Sequence, residues 1–196
     1  MSPRTEAQLE ALKLRRKEQI IKKSLVLFAK NGYFNTSISD IAKATGISKG
    51  LLYNYFENKE ALLNEVVLFA LKEGTDLGLS PEALSQLNPD EVFVKVVGGY
   101  FDLLKEKEEL WRLTTSLAIH VSSIPSAHKI IKSVYEDLTS ELEAMFTMIQ
   151  HDNPKSEAFK LGALLDGIGI QYLIFGDEYP LEDIKESIID NYLKRK

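Results

Sequence analysis

Apolar residues recur at intervals of three and four along nearly the whole chain, the spacing of helices that bury one face, and no run alternates as a half-buried strand does. Ile20, Ile21, Leu25 and Phe28 mark the apolar face of a first helix. Asn31-Gly32 closes it, because glycine takes the left-handed conformation at a helix end without a Cβ penalty. Thr5 and Gln8 have the spacing of a capping box, although regular apolar positions begin only at Ile20. A short helix follows at about 37–44, then a turn at Thr45-Gly46-Ile47, a second short helix opening at Ser48, and a longer one capped by Asn58 that runs to about Gly74.

Residues 74–89 are rich in Gly, Ser, Asn and Pro and form an interrupted connection. Beyond it the pattern predicts helices near 89–106, 108–122, 126–150, 156–175 and 180–194, with breaks at Ile124-Pro125, Asn153-Pro154 and from Gly176 to Pro180. Within 126–150, Ile130 or Ile131, Val134, Leu138, Leu142, Met145 and Ile149 draw a single apolar stripe. The expectation is an all-α protein of about nine helices. A three-helix head at 1–60 carries a helix-turn-helix, and a larger helical bundle occupies 61–196.

Two short helices joined by a three- or four-residue turn containing glycine form the helix-turn-helix unit, whose second helix enters the major groove. Ala42 is small where the helices cross, Gly46 sits where a positive φ is wanted, and Ile38, Ile41, Ile47, Leu52 and Phe56 supply a shared core. At about 100° per residue, Leu52 and Phe56 share one face while Gly50, Leu51, Tyr53 and Asn54 spread over the opposite arc. That arc suits DNA. Thr36, Ser37 and Ser48 stand at helix starts, where hydroxyls and free N–H groups meet phosphate. Gly50 permits close approach, Lys49 can reach a guanine edge or a phosphate, and Leu51 can touch a thymine methyl. Tyr53, Tyr55 and Lys59 would hold the backbone and fix the register.

Charge sharpens the division. The net charge is -5, yet residues 1–60 hold eleven Lys/Arg against six Asp/Glu, a balance of +5, leaving -10 for 61–196. A basic head on an acidic body is what a protein needs if only the head meets a polyanion. There are no cysteines, which excludes disulfides and thiolate metal sites and fits the cytoplasm. No export signal is visible, and no apolar run approaches the 18 or so residues of a membrane span. The three histidines lack metal-ligand spacing, and no glycine-rich phosphate loop follows a strand, so neither enzyme nor cofactor chemistry is expected.

The run IIKKSLVLFAKNGYFNTSISDIAKATGISKGLLYNYFENKEALL, about residues 17–63, resembles the N-terminal pattern of the tetracycline-repressor (TetR) family, with FAKNGY, TSISDIA, GISKG, LYNYF and NKEAL in place. Ser24 replaces the usual alanine of the first helix, and Leu51 a residue often small and hydroxylated. The resemblance implies a homodimer whose two heads bind a palindromic double-stranded DNA operator, with the dimer contacts and a small-molecule effector site in the body.

The body carries weaker signals. The helices at 126–150 and 156–175 suit a four-helix dimer interface. Gly162, Ala163, Gly167 and Gly169 would allow close helix approach, or alternatively loosen the helix beside a cavity. Tyr100, Trp111, Thr115, His120 and Tyr172 combine apolar bodies with polar tips, as pocket linings do. Asp166 lies within the apolar run ALLDGIGI, where a carboxylate must be paired, near a cavity, at a symmetric boundary or turned to solvent. A helical ligand-binding or adaptor protein that does not bind an operator is the alternative, and salt-dependent binding to a palindrome separates the two.

Overall fold

A computed structural model describes residues 6–75 and 81–193, and the proposed cap at Thr5 lies outside them. The described residues contain ten α-helices and no strand. They are α1 (Glu6–Asn31), α2 (Ile38–Thr45), α3 (Lys49–Tyr53), α4 (Lys59–Thr75), α5 (Pro81–Leu84), α6 (Pro89–Glu106), α7 (Glu108–Val121), α8 (Pro125–Met148), α9 (Pro154–Phe175) and α10 (Leu181–Leu193). A 3₁₀ turn, Gly176–Glu178, follows α9. The helix not foreseen is α5, a single turn inside the glycine- and proline-rich connection, too short to show a period.

The chain divides into two compact units. One comprises the described residues up to Leu71 together with Leu113–Ile131, so the second half of α7 and the start of α8 return to pack with the head. Its buried side chains include Ile20, Leu25 and Phe28 of α1, Ile41 and Ala42 of α2, Leu52 of α3, Leu62, Leu63 and Val66 of α4, and Leu117 and Val121 of α7. Polar ties accompany them: the Ser116 hydroxyl donates to the Ala29 carbonyl at 2.9 Å, and the Ser126 hydroxyl to the Glu60 carboxylate at 2.6 Å.

The second unit, Lys72–Arg112 with the described residues from Lys132 onward, has its own core. Phe93, Val97, Phe101 and Leu104 of α6 meet Met145 and Phe146 of α8, Ala158, Leu161 and Ile168 of α9, and Leu181 and Ile188 of α10. Phe93, Phe146 and Tyr192 form a triangle of rings with centroids 5.0–5.9 Å apart. Edge and tilted pairs of this kind add about 0.5–1.5 kcal/mol each beyond their buried area. Of the α8 stripe, Met145 is buried in this core and Leu142 and Ile149 pack against it, while Val134 and Leu138 are half-buried.

One expectation needs correcting. Pro154–Glu178, containing α9, is long and apolar enough to cross a membrane by length and composition. Lys160, Asp166 and Gln171 interrupt it, so a count of uninterrupted apolar residues passes over it. A single such helix is weak grounds for a span, because core and interface helices meet the same measure. Only 22% of its apolar window is buried within this chain. Phe159, Ile170 and Ile174 are exposed together with Ala163, and with Gly167 they share an arc of roughly 80° along about four turns.

Candidate nucleic-acid interface

Local chemistry fixes the two short helices. Ser37 is the N-cap of α2 and forms a complete capping box with Asp40: the Asp40 N–H donates to the Ser37 hydroxyl at 3.2 Å, and the Ser37 N–H donates to the Asp40 carboxylate at 2.8 Å. The Ser37 hydroxyl also donates to that carboxylate at 2.6 Å. These bonds hold the Asp40 carboxyl below its ordinary value. At the other end Gly46 has φ 68°, and the N–H groups of Gly46 and Ile47 close on the carbonyls of Lys43 and Ala42. Ser48 then caps α3, accepting from the Leu51 N–H at 3.1 Å. Asn58 caps α4 by accepting from the Ala61 N–H at 2.8 Å.

The result is one helix with two characters. Leu52 is fully buried, and Phe56 just beyond α3 is nearly so, whereas Lys49, Gly50, Leu51, Tyr53 and Asn54 are exposed. A Cβ at Gly50 would meet only the Ser48 hydroxyl, at 4.0 Å, so the space above it is open to a ligand. Tyr55 is half-buried, its ring tilted on Phe56. The Lys59 ammonium lies 4.2 Å from the centre of the Tyr33 ring, and partial burial lowers its pKa.

Thr36 does not join this surface. Its side chain is buried, with the hydroxyl donating to the Gly32 carbonyl at 2.9 Å and within 3.3 Å of the Leu27 carbonyl. The phosphate contact expected of it is therefore withdrawn. A threonine beside a helix start is either the cap or a strut beneath it, and the capping box shows that Ser37 holds the first role. Phe34, with 73% of its surface exposed, stands three residues before that cap and was not singled out by spacing, because it belongs to no periodic face.

Residues 20–66, α1 from its first buried position through the first two turns of α4, match the model described as "Bacterial regulatory proteins, tetR family". The chain belongs to that family. This TetR-family protein is 28% identical over 185 residues to the HTH-type transcriptional regulator BetI of Proteus mirabilis (strain HI4320), covering 91% of this chain and 90% of that one. It is 30% identical over 135 residues to the probable acrEF/envCD operon repressor of Escherichia coli (strain K12), covering 69% of this chain and 52% of that one. A solved structure from Pseudomonas aeruginosa PAO1 superposes with a TM-score of 0.80 at 18% identity, covering 93% of this chain and 90% of that one, a likeness of fold. The TetR-family protein is thus a transcriptional regulator with a DNA-binding helix-turn-helix, and not an enzyme.

The six residues considered for effector binding in this regulator fall in two groups. Thr115 and His120 belong to the head unit. There the His120 Nδ1 lies 2.7 Å from the Ser116 carbonyl, and a Cβ at Gly32 would come within 3.5 Å of the imidazole ring. Tyr100, Trp111, Asp166 and Tyr172 belong to the other unit. Tyr100 stands edge-on to Trp111 at 5.9 Å and donates to the Leu165 carbonyl at 2.5 Å. Tyr135, which spacing did not single out, reaches both Asp166 carboxylate oxygens at 3.2 and 3.3 Å. Tyr172 instead lines an open depression of about 380 Å³ with Lys105, Tyr179 and Glu182.

Burial pushes the Asp166 carboxyl above its ordinary value, against the opposing effect of the Tyr135 hydrogen bond. Burial and the neighbouring carboxylate together push the Tyr135 phenol up to about 12. A carboxyl raised in the folded state binds more protons there than in the unfolded chain, so its ionised form costs stability above that pKa. Asp166→Asn keeps an acceptor for Tyr135 and should raise Tm at neutral pH. The gain should shrink as pH falls through the folded pKa of Asp166. Melting curves of both proteins across acid and neutral pH check this, and a lower Tm for the variant at neutral pH contradicts it.

Proposed function

We propose that this regulator is a homodimeric repressor that binds a palindromic DNA operator through its head, residues 1–60, and releases it when a small molecule binds in residues 61–196. The observation that carries the reading is the two-sided recognition helix α3. Leu52 fixes its inner side in the core, while Lys49, Gly50, Leu51, Tyr53 and Asn54 remain on the open side with no structural task of their own. Ser37 and Ser48 sit at the helix starts beside that surface, and Tyr55 and Lys59 flank it. Symmetry asks that the two recognition helices fall about 34–36 Å apart or at a multiple of it. Any ligand that favours another spacing weakens DNA binding.

The bare apolar arc of α9 supports the dimer, since monomers rarely leave so continuous an apolar face in water. Among the described residues, nothing beyond the backbone of its own helix and its chain neighbours comes within 4 Å of a Cβ at Gly167, which leaves room there for a neighbouring helix. For the effector, Tyr100, Trp111, Tyr135 and Asp166 combine aromatic faces with one carboxylate, a set that favours a ligand with an apolar body and a cationic or hydrogen-bond-donating tip. Helix α4 begins at Lys59 and carries the chain out of the head, so it is the segment through which a typical coupling of about 1–3 kcal/mol would act. Work at the chromosome places the protein in the cytoplasm under this proposal.

The test is binding to a palindromic duplex that the wild-type protein selects from a randomised library, measured over a range of salt. Tyr53→Ala and Lys59→Ala should each weaken binding across sequences, and Lys59→Ala should lower the salt slope by about 1. Changes at Lys49 or Leu51 should instead reorder base preference. Affinity unchanged in both backbone variants would remove the DNA reading, and a wild-type protein that selects no duplex would favour the adaptor.

A further inference from the structure

Helix α1 is far longer than its core requires. It begins at Glu6, but its first buried residue is Ile20, which is also where the family match begins. Fourteen helical residues, about 21 Å at 1.5 Å per residue, thus precede the core. Every residue in 6–16 is exposed, including Leu9, Leu12 and Leu14. The composition, EAQLEALKLRRKEQ, consists of strong helix formers and explains why the segment is helical. It does not explain why three leucines should stand in water.

Two contacts give the direction of this extension. The Lys17 ammonium lies 2.8 Å from the Glu65 carboxylate, and the Lys22 ammonium lies 5.5 Å from the centre of the Phe69 ring. Five residues along α1 thus match four along α4, and the two helices run side by side in the same sense. Glu65 is six residues from Lys59, the first residue of α4, a distance of roughly 9 Å. The same distance back from Lys17 reaches Ala11. Lys13 and Arg16 therefore stand within roughly 8 Å of the level of Lys59, and Glu6–Glu10 reaches roughly 7 Å past it. Lys17 is also 5.7 Å from the ring of Phe56, three residues beyond α3, which ties this end of α1 to the recognition element.

Charge and face agree. Residues 6–23 hold six Lys/Arg and three Asp/Glu. Among the described residues, neither Arg15 nor Arg16 has a carboxylate within ion-pair distance, and Arg16 donates only to Gln19. Leu9, Leu12, Lys13 and Arg16 fall within roughly 100° of one another on the side of the helix that Ile20 turns to the core. The extension thus prolongs the core-facing side as a mixed basic and apolar strip that runs out beside the start of α4. Cations of this kind suit phosphates, and short apolar side chains suit sugars and thymine methyls.

We propose that the first four turns of α1 are a second DNA contact, lying along the duplex that flanks each half-site, with Lys13 and Arg16 on phosphates. This rests on the operator reading above and adds a surface outside the helix-turn-helix. The probe is the library-selected palindrome in two forms, trimmed to the palindrome or extended by ten base pairs on each side. A Lys13→Gln, Arg16→Gln variant, which keeps helix-forming residues, should bind the extended duplex at least ten-fold more weakly than wild type, with a salt slope smaller by about 2 per protomer. On the trimmed duplex the two proteins should differ little.

Equal affinity and equal slope on the extended duplex would overturn the proposal. If Tyr53→Ala still weakens binding to both duplexes, the operator reading survives that loss. If wild type binds neither duplex in a salt-dependent way, both fall. Hydroxyl-radical footprinting of the wild-type complex is independent of how the variant folds: protected sugars outside the palindrome support the contact, and protection confined to it overturns the contact.

Discussion

Ile174→Arg or Ile170→Arg, each placing a charge on the bare arc of α9, should yield a folded monomer that has lost most of its operator affinity. Both side chains are exposed in the single chain, at 71% and 46%, so the substitution removes no contact from the protomer's own core. In a dimer that buries this arc, two symmetry-related guanidinium groups would enter an apolar contact without partners, a cost that breaks the interface instead of the fold. Each half-site would then bind alone. Linking two heads typically multiplies affinity by about 10²–10⁴, and that factor is what the variant should lose. Sedimentation equilibrium reads the first outcome, and fluorescence anisotropy on the selected palindrome reads the second. A variant that remains dimeric with wild-type affinity places the interface elsewhere.

Gly169→Val should destabilise the second unit and displace its tryptophan. A Cβ at this position would lie 2.6 Å from Cζ2 and Nε1 of Trp111 and 2.7 Å from Cε2, closer than packed atoms allow. The indole has little freedom to yield, since Tyr100 stands edge-on to it and is itself hydrogen-bonded to α9. Replacing glycine in a helix ordinarily gains up to about 1 kcal/mol from backbone propensity, less for a β-branched residue. Overpacking costs about 1–3 kcal/mol, so the clash should win and lower Tm by several degrees in a chain of this size. Trp111 is the only tryptophan, and its emission should shift as the ring leaves its place. Gly162→Ala is the contrasting control. Its Cβ would meet only Leu142 at 3.9 Å, an ordinary contact, so stability should hold or rise. A Gly169→Val protein with wild-type melting and emission would show that Trp111 does not depend on this glycine.

The difference between those two glycines marks the limit of sequence reading here. Periodicity revealed the long helices, because a stripe repeated over several turns has one physical interpretation, while the short α2 and α3 were legible from the Gly46 turn between them. Capping was equally readable at Ser48 and Asn58, where one polar side chain precedes a helical pattern. Thr36 and Ser37 show where it fails: adjacent hydroxyls compete for one cap, and only the fold decides which points inward. Glycines in a row at 162, 167 and 169 look alike on paper, yet they face Leu142, open space and an indole respectively. Asp166 had several open explanations, and its partner Tyr135 lies 31 residues away on another helix, a separation no local pattern encodes. The same holds for His120, whose neighbour Gly32 is far off in sequence.

Lys59 illustrates what packing adds to a residue already suspected from its position. Its ammonium is held over the face of Tyr33, so the four-carbon stem is ordered in the protein alone. Freezing a side chain of that kind costs about 0.5–1.5 kcal/mol when it happens on association. Here folding has already met that penalty, and an incoming anion finds the cation waiting instead of having to recruit it.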